Sequence, residues 1–119
     1  MPRDVVRGWA QGRFHLVVST HLLYELQATL SRRTFRKYLT VPVLHQYVMW
    51  IADRAQVGPD STEVPRYTGD PDDDYLVALA IDTEAEVIVT SDGDLHDHRD
   101  TIPVAVEDPR TFLDALQGY

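Results

Sequence analysis

Residues 70–95 constrain this chain more than any other stretch. They run Asp70-Pro71-Asp72-Asp73-Asp74, then an apolar helical run from Tyr75 to Ile81, then Val87-Ile88-Val89-Thr90-Ser91-Asp92-Gly93-Asp94-Leu95. Asp70 before Pro71 is a helix start: an aspartate cap with proline at the first helical position, and Asp72 to Asp74 suit the positive end of the helix dipole. A short β-branched run then reads as a strand, with Asp92-Gly93-Asp94 as a turn behind it. Each cluster alone is ordinary capping or turn chemistry. Together they flank one helix and one strand. A βαβ-like layout brings a helix N-terminus and the C-terminal end of the following parallel strand to one sheet edge, where ligands of open α/β sheets gather. Carboxylates that converge there repel one another, and a hard divalent cation such as Mg²⁺ or Mn²⁺ relieves the repulsion. We expect a metal site at that edge.

The rest of the chain supplies the sheet and its covering helices. Val5 to Gln11 reads as a helix closed by Gly12, and Phe14 to Ser19 as a buried strand. Ser19 or Thr20 caps a helix carrying Leu22, Leu23, Leu26 and Leu30 on one face, followed by a polar helical piece around Arg32 to Tyr38. Pro42 sits near the start of an amphipathic helix with Val43, Leu44, Tyr47, Val48, Trp50 and Ile51. A short strand lies between Gln56 and Gly69. The helix from about Pro71 to Thr83 leads to a strand from Glu86 to Thr90, a further strand spans Ile102 to Val106, and Asp108-Pro109 opens the last helix. Strands alternating with helices predict an α/β fold with a mostly parallel sheet in three layers. All 119 residues read as one domain, without repeat or linker.

Charge is distributed unevenly. The net charge of −8 argues against indiscriminate nucleic-acid binding. Yet residues 1–58 carry 8 Lys or Arg against 3 acids, and residues 59–119 carry 3 against 16. A basic surface beside an acidic one suits an enzyme that acts on phosphodiesters. Without cysteine, thiolate metal sites and thiol nucleophiles are excluded. No apolar run approaches the roughly 20 residues of a membrane helix, so we expect no membrane association and a cytoplasmic location. His96 and His98 next to acids could take a transition metal, but no second His cluster accompanies them.

Glu25 lies on the helix after the first strand, near the edge of its apolar face, where a carboxylate can point to a cleft or stay solvated. Taken together, Leu16-Val17-Val18-Ser19, then Leu22-Leu23-Tyr24-Glu25-Leu26, Asp70-Pro71-Asp72-Asp73 and Val87 to Leu95 resemble the PIN-domain family, most closely its toxin branch (VapC-like) of bacterial type II toxin–antitoxin pairs. The resemblance implies a Mg²⁺- or Mn²⁺-dependent ribonuclease. It implies Glu25, Asp73 and Asp92 as catalytic residues and metal ligands, Asp94 as a further ligand, and Thr90 as the small hydroxyl residue ahead of the last acid. RNA contact is expected from Arg32, Arg33, Arg36 and Lys37, the one dense basic run. RNA as substrate, an antitoxin protein and self-association follow as partners.

One departure from the family bears on activity. Family members begin with a central strand ending in an aspartate ligand, whereas this sequence starts about where the family's first helix would be. We therefore expect an N-terminally truncated PIN-like domain with impaired cleavage. The alternative is an inactive remnant that acts as a protein-binding module.

Overall fold

The computed structural model describes residues 3–32, 40–61 and 63–117. Its contacts divide the chain into two compact units, one from Leu16–Asp60 and one from Met1–His15 with Ser61–Tyr119.

The Leu16–Asp60 unit contains β1 (Val17–Ser19), α2 (Thr20–Leu30), α3 (Val41–Arg54) and β2 (Gln56–Gly58), with α1 (Arg3–Ala10) preceding it in the other unit. Ser19 ends the strand and starts the helix. Its backbone is extended and its hydroxyl accepts the Leu22 N–H at 3.2 Å, which satisfies one of the amides a helix start leaves unpaired. Thr40 caps α3 in the same way, with Pro42 in the first turn, where its missing N–H costs nothing. Leu44, Val48 and Ile51 are buried, at the spacing of one helical face. β1 and β2 are parallel, with Val17 opposite Gln56 and Ser19 opposite Gly58. A parallel pair needs a crossover, which the chain through α2 and α3 provides. Only the last three residues of the expected Phe14–Ser19 strand are in the ladder, although the Leu16 carbonyl still accepts the Gln56 N–H at 2.9 Å. Leu22, Leu23, Leu26 and Leu30 are half-buried rather than buried.

The other unit holds α1, α4 (Pro71–Asp82), β3 (Val87–Val89), α5 (Gly93–Asp97), β4 (Ala105–Glu107) and α6 (Pro109–Gln117). α1 packs on α6: Phe14 meets Phe112 edge-to-face at 5.0 Å, and the Arg13 guanidinium reaches the Leu116 carbonyl at 3.0 Å. Gly12, at φ 74°, turns the chain out of α1 while Arg13 N–H bonds Gly8 O and Gly12 N–H bonds Trp9 O, the paired reverse bonds of a glycine helix terminus. α4 ends with the same pair of bonds, Ala85 to Ala80 and Glu84 to Ile81, but here a glutamate occupies the left-handed position at φ 57°. An L side chain is strained there, by about 1–2 kcal/mol, and glycine would give back part of the relief through unfolded-chain entropy. Glu84→Gly should therefore raise stability by roughly 0.5–1 kcal/mol in urea unfolding. A loss of stability would mean that the Glu84 side chain contributes more than its backbone costs.

Val77, Leu95 and Ile102 form a buried core cluster in this unit, with Tyr67, Leu76, Ile88, Val104 and Val106 packed around them. β3 and β4 are parallel, with Val87 opposite Ala105 and Val89 opposite Glu107. The residues read as an Asp-rich turn are instead the N-cap and first turn of α5. The strand expected over Ile102–Val106 lies at Ala105–Glu107, because Ile102 is drawn into the core. The fold is thus α/β with parallel pairing, but the described strands form two separate two-stranded ladders rather than one sheet. Residues 33–39, which hold most of the expected polar helical piece, lie outside the described residues. Among those described, no helix is long and apolar enough to cross a membrane.

Candidate metal centre

Two helix starts carry the acidic residues. At the start of α4, Asp70 is the cap, and its Oδ1 accepts the Asp72 N–H at 2.9 Å. Asp73 follows three residues later, one helical turn on from the cap, so the two share a face. Asp74 points elsewhere. Its Oδ1 accepts the amides of Tyr67 at 3.1 Å and Thr68 at 2.7 Å and the Thr68 hydroxyl at 3.0 Å. The Thr68 oxygen in turn accepts the Asp70 N–H at 3.0 Å. A buried carboxylate one turn into the helix thereby fixes the loop that places Asp70.

The second start follows β3. Thr90 N–H bonds the Glu107 carbonyl at 2.9 Å, continuing the β3–β4 ladder by one bond. The Thr90 hydroxyl accepts the Asp92 N–H at 3.0 Å, and Asp92 Oδ1 accepts the Asp94 N–H at 2.9 Å as the cap of α5. Leu95, fully buried, anchors the turn in the core. Both capping aspartates use Oδ1 locally, and each cap bond accounts for only one of the two carboxylate oxygens.

These two ends meet. Asp70, Asp73 and Asp94 can each bring one carboxylate oxygen within 4.8 Å of the others, and the Asp92 side chain hydrogen-bonds that of Asp73. Asp73 is 5% exposed. Burial, then the hydrogen bond and charge of Asp92, then the charges of Asp70 and Asp94, push its carboxyl up from 3.8 to about 6. Burial and the surrounding carboxylates thus disfavour the charged form of Asp73. Asp73 Oδ2 is buried without a hydrogen-bond partner, an uncommon and costly state for a carboxylate oxygen. Asp74 behaves in the opposite way. Burial alone would raise it, but the Thr68 and Tyr67 amides, the Thr68 hydroxyl and the charge of Arg66 hold it below its ordinary value. An all-carboxylate oxygen set with an orphaned buried oxygen fits a hard divalent cation.

Of the residues singled out in the sequence, Asp73, Asp92 and Asp94 come together. Thr90 stands beside them, with its hydroxyl bonded to the Asp92 amide. Glu25 belongs to the Leu16–Asp60 unit, where its carboxylate pairs with His21 at 3.0 Å and both side chains are half-exposed. Arg32 is exposed just past α2. Arg33, Arg36 and Lys37 lie outside the described residues. Asp70, read in the sequence only as a cap, joins the cluster; its spacing of three from Asp73 was the available signal. Neither imidazole of the His-x-His pair is arranged as a shared metal site. His96 Nε2 is 2.7 Å from the Thr90 carbonyl and His98 Nδ1 is 2.8 Å from the Asp94 carbonyl.

An α/β scaffold that gathers aspartates from two helix starts defines an acidic centre suited to a divalent ion. A family model described as PIN domain matches residues 1–94. The chain belongs to the PIN-domain family, a family of nucleases that generally use a divalent metal. No curated protein and no solved structure matches it.

Proposed function

We propose that the protein is an endoribonuclease that uses Mg²⁺ or Mn²⁺ to cleave single-stranded RNA, as the toxin component of a toxin–antitoxin pair acting in the cytoplasm. What supports this most is the buried, unpartnered Oδ2 of Asp73 within the aspartate cluster. Asp73, Asp92 and Asp94 would hold the ion, with Asp70 beside them and Glu25 a further ligand on the strength of its motif. Bound there, such an ion supplies positive charge to the scissile phosphate and an activated water. The chain's own contribution is placement. Asp70 and Asp92 are fixed by their capping bonds, and Asp73 is held in a dry setting where it retains a proton to about pH 6. Phosphate contact falls to Arg32, Arg33, Arg36 and Lys37.

The test is a panel of single-stranded RNAs incubated with Mn²⁺ or Mg²⁺, with and without EDTA. Cleavage should require the ion, and Asp92→Asn should lower it by about 100-fold or more, because an amide cannot supply the ligand charge. Glu25→Gln should lower it as well, by roughly tenfold. Cleavage that survives EDTA would overturn the assignment.

A second role as a protein-binding module, toward an antitoxin or a second copy, is favoured by the half-buried leucines of α2 and by Tyr24, Val41, Val43, Met49 and Val57, which are all exposed. Sedimentation velocity over a hundredfold concentration range should show self-association. A constant monomer would remove that part of the proposal.

A further inference from the structure

The loop that carries Asp92 is closed by a side chain that no metal role requires. A carbonyl oxygen can only accept, so the 2.7 Å contact between His96 Nε2 and Thr90 O makes Nε2 the protonated, donating nitrogen. The Thr90 hydroxyl holds the Asp92 amide, Asp92 holds the Asp94 amide, and the His96 amide lies 3.4 Å from the Asp92 carbonyl. Residues 90–96 are therefore fastened at both ends. Thr90 N–H ties the loop to β4 through Glu107, and the imidazole returns from the first turns of α5 to the carbonyl of the same threonine. α5 spans only Gly93–Asp97, too short to hold its own start rigidly. Leu95 fixes the depth of the turn, and the imidazole fixes the approach of the acidic residues to the strand end.

We propose that His96 is a positioning residue of the aspartate centre. By donating from Nε2 to Thr90 it holds Asp92 where its carboxylate meets Asp73, and so raises affinity for the divalent ion; this rests on the metal reading given above. Groups that orient a ligand without touching the ion commonly change affinity by 10–100-fold.

The substitutions follow from atom counting. A glutamine amide nitrogen lies as many bonds from Cα as His Nε2, whereas an asparagine amide nitrogen takes the place of Nδ1. His96→Ala and His96→Asn should weaken Mn²⁺ binding by calorimetry about tenfold and speed amide exchange at Asp92 and Asp94 in the metal-free protein. His96→Gln should restore both to within about threefold of the parent. A ring ¹⁵N spectrum of the metal-free protein should show His96 with its proton on Nε2. Unchanged affinity and exchange in His96→Ala would overturn the proposal. So would equal losses in His96→Ala and His96→Gln, which would mean that ring packing matters and the donated bond does not. If the parent chain binds no Mn²⁺, the metal reading fails. The amide-exchange series then decides, on its own, whether His96 holds the loop.

Discussion

Asp74→Ala should cost the folded protein roughly 3 kcal/mol, the larger part of it from groups the carboxylate leaves behind. Two amides and a hydroxyl converge on Asp74 Oδ1, and the residue is 4% exposed. Removing the acceptor strands buried donors at about 1–3 kcal/mol each, less whatever water or relaxation recovers. Asp74→Asn keeps an oxygen in place and should cost about half as much. The effect reaches the acidic centre, because the Thr68 hydroxyl that Asp74 orients also receives the Asp70 amide. The Asp74 carboxyl lies below its ordinary value when folded. Its contribution is therefore present above about pH 4 and is lost as pH falls through the lower folded value. Urea unfolding at pH 7 checks the magnitude. A loss under about 1 kcal/mol for the alanine variant would mean the Thr68 loop does not depend on this carboxylate.

Asp73→Asn should do the reverse and stabilise the metal-free protein at pH 7.5 by roughly 2 kcal/mol. The folded carboxyl titrates near 6 rather than 3.8, so the folded state binds its proton more tightly than the unfolded chain does. The associated stability is fully present below about pH 4 and is lost as pH rises through about 6. The interval corresponds to about 3 kcal/mol at roughly 1.4 kcal/mol per pH unit. Relaxation of the neighbouring carboxylates reduces what one substitution recovers. An asparagine carries no charge to repel Asp70, Asp92 and Asp94, so the variant should show little of this pH dependence. Mn²⁺ should invert the ranking. At about 100 times its dissociation constant an ion adds about 2.7 kcal/mol to the parent, and the variant should forfeit most of that. Thermal unfolding at pH 4.5 and 7.5, with and without Mn²⁺, tests each part. If Asp73→Asn is destabilising at pH 7.5 without the ion, the carboxylate is not held under electrostatic stress.

Much of this architecture follows from local chemistry that a sequence displays. Asp70-Pro71 starts α4, Ser19 starts α2, Gly12 ends α1 and Asp108-Pro109 opens α6, because caps and breakers act over one turn and need no distant partner. The pairing of Asp73 with Asp92 is legible for a related reason, since one helix and one strand between them fix where each end must lie. Strand extent is different. A three-residue ladder exists only where a partner strand lies alongside, so Phe14–Leu16 and Ile102–Val104 look like strand and are not. Whether Ile102 pairs or fills the core is decided by its packing against Leu95 and against Val77, the latter far from it in the chain. The tightening of Asp92-Gly93-Asp94 into α5, and the turning of His96 back to Thr90, likewise go with the burial of Leu95, which only the packed core provides. Sequence alone determined which residues are acidic, which helices they start and which family they signal. Tertiary packing alone decided that Asp73 is buried with an unpartnered oxygen while three donors converge on one oxygen of its neighbour Asp74. Desolvation and hydrogen-bond partners come from groups that only the folded chain brings within reach.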